Sequence, residues 1–246
     1  LYPYRGHMGR TFTELGLKVM RGPALRLCLV GASGRLGGVI TAAATGLNAT
    51  VSVALSSGDD LDDIDVPFDV VIDASRPDGT LRATELAVNK GVPIVVCTTG
   101  LLDEHDAVLR AAAKTVPVLR APNTSRGVAV VRRMVEAIAA MTREWHVEIT
   151  ETHHKNKFDK PSGTATLFAD SIDSARNVPM DRASIKSIRE GDVIGDHVVK
   201  FMSADEVISI EHHAIDRAVF GRGAVEAARW LVSQPPGLFT IEDSLQ

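Results

Sequence analysis

The sequence predicts an α/β protein with a doubly wound parallel sheet, followed by a smaller α+β domain that contains a mixed or antiparallel sheet. Two observations support this prediction. Short, almost continuously apolar strands alternate with helices as far as residue 123, a pattern typical of parallel strands that are covered on both faces. Beyond that point, strand candidates follow one another with only short polar turns between them, as in antiparallel or mixed sheets.

The first domain is expected to comprise residues 24–125 and 217–246, because the final helical segment, GRGAVEAARWLVS, is expected to return to the first sheet. Its strand candidates, in chain order, are ALRLCLV, TVSVAL, FDVVIDAS, VPIVVCTTG and VPVLRAPN. One intervening helix follows the glycine-rich turn GASGRLG, and the others are predicted near the segments DGTLRATELAVNKG and DEHDAVLRAAAKT.

The second domain is expected to comprise residues 126–216. It begins with the helix GVAVVRRMVEAIAAM and the strand WHVEITETHH, which are followed by a helix after PSG. The next strand candidates are ASIKSIRE, HVVKFM and EVISIEHHA. Residues 1–23 lack the apolar core of a signal peptide and are interpreted as an extension or tag outside the folded core.

Composition argues against several function classes. The chain has 246 residues, a formal net charge of −4 and only 4% aromatic residues, so neither a basic field nor base-stacking platforms favour nucleic-acid binding. No run of 18 apolar residues predicts a membrane span. The two cysteines, Cys28 and Cys97, lie within apolar runs and offer neither a disulfide framework nor metal-ligand spacing. These features are typical of a cytoplasmic protein.

The glycine-rich turn directly after the first strand predicts dinucleotide binding. Gly31, Gly34 and Gly37 form a G-x-x-G-x-x-G variant, which permits a tight turn and places a pyrophosphate at a helix N-terminus. The second strand ends at Ser56 and Ser57, where NAD-binding proteins usually carry an acid. With Arg35 in the turn, these serines favour NADPH over NADH by a small margin, and both cofactors remain open.

The stretch ETHHKNKFDKPSGTAT gathers potential ligands and cations before a predicted helix. A metal site is disfavoured, because His153 and His154 point to opposite faces of a strand and the residue four positions after His153 is Lys157. His153 and Lys157 are instead candidate proton donors, and the segment Pro161–Thr164 is a candidate anion-binding helix N-terminus. A solvated basic loop with an ordinary helix cap explains these residues equally well.

These motifs, in this order, resemble the 4-hydroxy-tetrahydrodipicolinate reductase family, also called dihydrodipicolinate reductases. The resemblance extends from about Ala24 to Leu231, and its most specific part is the block ETHHKNKFDKPSGTA. The other matching segments are GASGRLG, VVIDASRPDGTL, VVCTTG, APNTSRGV, SIREGDVIGDHVVKF and HHAIDRAVFGRGAVEAARWL.

The resemblance implies a Rossmann-type NAD(P)H domain and a second domain, of residues 126–216, that binds a dicarboxylate substrate and assembles a homotetramer. It implies that His153 and Lys157 exchange protons with the substrate, that His154, Gly163 and Thr164 hold the dicarboxylate, and that Ser162 orders the loop. The implied cofactor residues are Gly31, Ala32, Ser33, Gly34, Arg35, Leu36, Ser56, Ser57, Arg76, Cys97, Thr98, Thr99, Ala121, Pro122, Asn123 and Thr124.

Two other functions fit parts of the sequence. An amino-acid or imine dehydrogenase of the same architecture would also need the nucleotide domain. Turnover of 4-hydroxy-tetrahydrodipicolinate, generated by its synthase in a coupled assay, would distinguish a dihydrodipicolinate reductase from it. A nucleotide-sensing module would bind NADPH without turnover, and it gives no reason for the cluster around His153.

Overall fold

The structure is a computed structural model that describes residues 23–61 and 64–245. The expected N-terminal extension, apart from residue 23, therefore lies outside the described residues. Within the described part, no helix is both long and apolar enough to cross a membrane.

The strands and helices alternate in the first part of the chain and in its C-terminal part. The strands are β1 (Leu25–Val30), β2 (Ala49–Leu55), β3 (Val70–Asp73), β4 (Ile94–Val96), β5 (Pro117–Arg120), β6 (His146–His153), β7 (Lys186–Arg189), β8 (Asp196–Met202), β9 (Val207–His213) and β10 (Gly237–Thr240). The helices are α1 (Arg35–Gly46), α2 (Pro77–Lys90), α3 (Asp103–Ala112), α4 (Arg126–Met141), α5 (Gly163–Arg176) and α6 (Ala218–Leu231).

The first sheet contains six strands in the order β10-β5-β4-β3-β1-β2, and all its strand pairs are parallel. Strands β3 and β4 are buried along their whole length, as expected for parallel strands between two helical layers. Helices α1 and α6 contact each other, as do α2 and α3. The apolar side chains form two separate buried clusters, one of which includes residues of α1 and α6. This architecture confirms the predicted doubly wound sheet.

The sequence did not predict β10. Its four residues alternate between partly buried and exposed, and they lack the apolar run that marked the other strands. Residues 237–240 form a strand because their backbone pairs in parallel with residues 117–120 of β5, which supplies the hydrogen-bonding partners that an isolated segment would lack.

The second sheet has the order β7-β6-β8-β9 and is mixed, which confirms the predicted sheet type. Although β7 precedes β8 in the chain, it pairs in parallel with β6 instead of with β8. The segment after β7 continues this association, because the amide of Glu190 donates to the carbonyl of His153 at 2.9 Å. One face of the sheet packs on α4 and α5 through a cluster that includes Ile149, Phe168 and Phe201.

The chain leaves the first sheet and returns to it at neighbouring positions. The Thr124 hydroxyl, just before α4, donates to the carbonyl of Phe220 in α6 at 2.8 Å. At Gly223, one turn further along α6, any Cβ atom would overlap the Thr124 carbonyl, so only glycine allows this close approach. The two crossings of the chain between the sheets thus lie next to each other, close to the carboxyl ends of the parallel strands.

Candidate active site

The turn between β1 and α1 has a shape that requires glycine. Gly31 has φ +86°, and a Cβ atom there would overlap the carbonyl group of Ala74 after β3. A Cβ atom at Gly37 would overlap the carbonyl oxygen atoms of Gly31 and Ala32. Gly34 is the N-cap residue of α1, and a Cβ atom there would lie 3.2 Å from the Gly31 carbonyl oxygen. The result is a narrow cradle in front of a helix N-terminus, which suits a pyrophosphate.

Two cavities meet at this turn, along the carboxyl edge of the first sheet. The larger cavity, of 570 Å³, borders the loops after β3, β4 and β5 and the start of α6. Its lining includes these predicted cofactor residues: Gly34, Arg35, Leu36, Arg76, Cys97, Thr98, Thr99, Ala121, Pro122, Asn123 and Thr124. The smaller cavity, of 510 Å³, is lined by Gly31, Ser33, Gly34, Ser56, Ser57 and Arg76 among others. Ala32 lines neither cavity and packs against the apolar core instead.

A buried carboxylate organises the floor of the larger cavity. Asp73, at the end of β3, accepts hydrogen bonds from the Thr80 hydroxyl at 2.6 Å and from the Ser75 hydroxyl. The Ser75 amide also donates to Thr98 Oγ1 at 3.1 Å. Burial raises the pKa of Asp73, although these hydrogen bonds oppose the shift. Thr98 is buried and fixes the loop, whereas the neighbouring Thr99 is exposed.

His153, the last residue of β6, is held in place by a carboxylate two residues earlier. His153 and Glu151 lie on the same face of the strand, and His153 Nδ1 lies 2.5 Å from Glu151 Oε2. Burial lowers the pKa of His153, and the Glu151 carboxylate only partly offsets that effect. The imidazole is therefore neutral near pH 7, with its Nδ1 proton donated to Glu151 and its Nε2 lone pair available. Nε2 points towards Gly195, where a side chain would crowd it.

Arg189, at the end of β7, connects this histidine to the loop that follows β6. Its guanidinium contacts Glu151 at 2.9 Å and donates to the backbone carbonyl groups of Lys157 at 3.1 Å and Asp159 at 2.5 Å. Burial raises the pKa of Glu151, but hydrogen bonds from Arg189, Ser187 and His153 outweigh it, so the net pKa is lowered. The carboxylate is consequently charged, and one buried ion pair orients both His153 and the loop.

Lys157 lies in this loop, and its side chain is 22% exposed. Its ammonium group pairs with the Asp159 carboxylate at 2.7 Å, which holds the amine at the surface of the site. Burial raises the pKa of Asp159, but the hydrogen bond from Lys157 outweighs it and the pKa is lowered overall. His154 is partly buried next to this loop, whereas Lys155 and Lys160 are exposed.

The N-terminus of α5 faces open space. Ser162 is the N-cap residue, its hydroxyl accepts from the Ala165 amide at 3.2 Å, and it is 1% exposed. A Cβ atom built at Gly163 would meet no other atom within 4 Å. The Thr164 hydroxyl accepts a hydrogen bond from the Asn123 amide at 2.8 Å, so this helix start borders the larger cavity. A partial positive charge at such a terminus suits a carboxylate.

Two further histidines extend the cluster into the sheet. His197 on β8 lies beside His153, with the ring centroids 5.2 Å apart, and His212 on β9 lies opposite His197 in the strand pair. The Ser162 hydroxyl lies 3.3 Å from His197 Nε2. Burial lowers the pKa of His197 to about 3, and the neighbouring histidines add to this effect. His197 is therefore a neutral support of the helix start. No group in the described residues is arranged to hold a metal ion.

Comparisons with known proteins identify the family. A model of the dihydrodipicolinate reductase N-terminus matches residues 25–124, and one of its C-terminus matches residues 127–245. The chain belongs to the dihydrodipicolinate reductase family. The 4-hydroxy-tetrahydrodipicolinate reductase of Haloarcula marismortui is 35% identical over 89% of this chain and 98% of its own length. The corresponding protein of Campylobacter concisus is 34% identical over 90% of this chain and 98% of its own length.

The solved structures agree on the fold. A dipicolinate-bound dihydrodipicolinate reductase from a Paenisporosarcina species has a TM-score of 0.72 at 21% identity, covering 89% of this chain and 99% of that chain. The diaminopimelate dehydrogenase of C. glutamicum, in complex with diaminopimelate, has a TM-score of 0.55 at 12% identity, covering 90% and 94% respectively. The matches to the two family models and to the sequences of the relatives confirm the recognition of the family from its motifs.

The structure also brings residues into the site to which the sequence assigned no functional role. In the candidate nucleotide groove, which the two cavities form together, these are Arg82, Arg217 and Phe220. Around His153 they are Glu151, Arg189 and His197. Strand alternation carried a signal for Glu151, because it shares a face of β6 with His153. Arg189 and Arg217 lie far along the chain from the motifs they join, and no local pattern marks them.

Proposed function

We propose that this chain reduces 4-hydroxy-tetrahydrodipicolinate to tetrahydrodipicolinate with a nicotinamide dinucleotide, the 4-hydroxyl group leaving as water, in the diaminopimelate route to lysine. The observation that carries the proposal is the hydrogen bond between Asn123 and Thr164. It joins the loop that borders the nucleotide groove to the helix start that suits a carboxylate, so that the reductant and a dicarboxylate would lie side by side. The names of the curated relatives support the same reaction.

The residues of the groove fit the dinucleotide. The glycine cradle in front of α1 would hold the pyrophosphate. A side chain at Gly34 would reduce the space in this cradle. The larger cavity, with the exposed Thr99 and Asn123, would take the nicotinamide end, and the smaller one, with Ser56 and Ser57, the adenosine end. The bound nicotinamide supplies the hydride for the reduction. NADPH is favoured over NADH because no acid follows directly after β2.

The substrate carboxylates would bind at the start of α5. Backbone N–H groups of Gly163 and Thr164 lie in the first turn, where the helix dipole favours an anion. His154 lies between β6 and this loop and would contribute a further donor. Ser162 is too buried to reach a substrate, so its role would be to cap the helix and order the loop.

Lys157 and His153 would transfer the proton that the substrate receives together with the hydride. The Lys157 ammonium group, held by Asp159, would donate a proton to the substrate. The neutral His153 would accept and return protons at Nε2, because its Nδ1 proton is engaged with Glu151. General acid catalysis of this kind contributes roughly 10²–10⁴-fold to a rate.

A coupled assay tests the proposal. The substrate is generated in place by its synthase from pyruvate and aspartate semialdehyde, and oxidation of NADPH or NADH is followed with each cofactor in turn. The proposal expects turnover that depends on the synthase and on this chain. Binding of the cofactor without turnover would instead support a sensing module, and turnover of amino acids or other imines would support a different dehydrogenase.

The oligomeric state is part of the same proposal. We expect a homotetramer assembled through the second sheet, whose other face does not pack on α4 and α5 and carries Val207 at 57% exposure. Sedimentation equilibrium measures this directly, and a monomer at micromolar concentration would contradict it.

A further inference from the structure

The smaller cavity has a net positive lining, and the roles proposed so far for the glycine turn and for the serines after β2 do not account for that charge. Two guanidinium groups, those of Arg76 and Arg82, line it together with Ser56 and Ser57. Asp78 is the single carboxylate in its described lining. A cavity with this composition suits an anion at the adenosine end of the groove.

Arg82 lies in the second turn of α2, on its exposed side, and reaches towards the turn that follows β2. Its Nη2 atom donates to the backbone carbonyl of Asp59 at 3.3 Å. The Asp59 carboxylate does not face the cavity, because it accepts a hydrogen bond from the Ser56 amide at 2.7 Å within the same turn. The guanidinium therefore stands beside the two serines, while the nearby acid is occupied with the backbone.

Arg35, the arginine that the sequence suggested for a 2′-phosphate, lines the larger cavity and not the smaller one. Arg76 lines both cavities and is thus placed near the centre of the groove. Of these three arginines, Arg82 is the one that lines the smaller cavity and not the larger one.

We propose that Arg82, together with the hydroxyl groups of Ser56 and Ser57, forms a binding site for the 2′-phosphate of NADPH and sets the dinucleotide preference. The proposal rests on the proposed use of a nicotinamide dinucleotide. In Rossmann-type proteins the ribose 2′ position lies at the end of the second strand, which here is Leu55 followed by the two serines. A guanidinium binds phosphate oxygen atoms with charge-assisted hydrogen bonds that a 2′-hydroxyl cannot match.

The test compares two fragments of the cofactors, 2′,5′-ADP and 5′-AMP, by calorimetric titration. They differ only in the 2′-phosphate, and their binding does not require turnover, so the result is independent of whether the proposed reaction occurs. The wild-type chain is expected to bind 2′,5′-ADP at least about tenfold more tightly, since a hydrogen bond to a charged group contributes on this scale. In Arg82→Gln this preference is expected to fall to within about threefold.

The matched control is Arg110→Gln on α3. Arg110 is an exposed arginine of the same domain that lines neither cavity, so its substitution removes the same charge without touching the groove. The control is expected to keep the tenfold preference, and thermal unfolding should show that both variants are folded. Retention of the preference in Arg82→Gln, its equal loss in Arg110→Gln, or its absence from the wild type would each overturn the assignment.

Discussion

The Asn123 side chain donates a hydrogen bond to the Thr164 hydroxyl at 2.8 Å, although Asn123 lies in the loop after β5 and Thr164 lies in α5, 41 positions further along the chain. The other end of the same amide accepts from the Ser125 backbone at 2.9 Å, just before α4. Asn123 is therefore fixed at both ends of its side chain, and it sets the distance between the nucleotide groove and the start of α5.

A double-mutant cycle should detect this connection. We expect Asn123→Ala and Thr164→Val each to raise the KM for substrate severalfold, and the double variant to be little worse than either single one. The coupling free energy should be about 0.5–1.5 kcal/mol, as for a neutral hydrogen bond. Steady-state kinetics at saturating cofactor measures it, and strictly additive effects would mean that the contact is incidental.

Lys157→Ala should lower kcat by roughly 10²–10⁴-fold while leaving the Kd for NADPH nearly unchanged. The reason is that Lys157 lies in the loop beside α5 and lines neither cavity of the nucleotide groove. Lys155→Ala is the matched control, because this exposed lysine of the same loop is expected to keep full activity. An unchanged kcat in Lys157→Ala would remove this residue from the mechanism.

Gly163→Ala should separate folding from binding. The new methyl group meets no atom of the chain, so the fold should be kept, and the melting temperature should not fall. The same methyl group would occupy the space in front of the α5 N-terminus, so the affinity for dipicolinate should drop by about tenfold or more. Gly38→Ala in α1, whose Cβ would also meet open space, is the control and should keep dipicolinate affinity. If Gly163→Ala and Gly38→Ala bound dipicolinate with equal affinity, the carboxylate would not bind at the N-terminus of α5.

Glu151→Gln should destabilise the fold and lower the pKa of His153 further. Arg189 would keep a buried charge without its carboxylate, which costs about 3–5 kcal/mol of unfolding free energy. The pKa of His153 should fall because the carboxylate raises it in the wild type. Denaturant titration and NMR titration of His153 measure the two effects. In the exposed pair formed by His146 and Glu148 on the same strand, Glu148→Gln should change stability by less than about 0.5 kcal/mol.

The stability of the protein should fall on acidification below pH 6.5, with His197 as one cause. Burial lowers its pKa to about 3, so between pH 6.5 and about pH 3 the unfolded chain binds a proton that the folded protein does not. One such proton contributes a slope of about 1.4 kcal/mol per pH unit. His197→Gln should flatten the dependence by up to that amount. Ser162→Ala keeps the histidine and should lower stability by about 1 kcal/mol without removing the slope.

Local patterns carried the prediction of the parallel sheet and of the main site motifs. Apolar strands such as VVID and the turn conformation at Gly31, with φ +86°, are marked by the local sequence, and the fold confirms them. The cap at Ser162 is likewise a local feature, because its hydroxyl bonds the amide of Ala165 three residues later. Patterns of this kind depend on chain neighbours and can be found without coordinates.

Contacts between distant segments were not predictable in the same way. Arg189 reaches Glu151 only because β7 pairs with β6, and that register is not visible in the segment SIREGD. The position of Arg82 depends on α2 packing beside the turn after β2. For β10, the partner strand decides the structure and the local sequence contributes little. Pairing between distant segments is therefore the information that the sequence patterns lacked.

The meeting of Thr124 with Phe220 and Gly223 has a consequence for how this architecture can vary. Because the polypeptide enters and leaves the half that contains the second sheet at neighbouring positions, this half is topologically a cassette inserted into the half that contains the parallel sheet. A cassette with two adjacent ends can be exchanged for one of different chemistry without re-threading the parallel sheet. Under the proposed function, chimeric proteins joined at these two crossings would take their cofactor preference from one parent and their substrate specificity from the other.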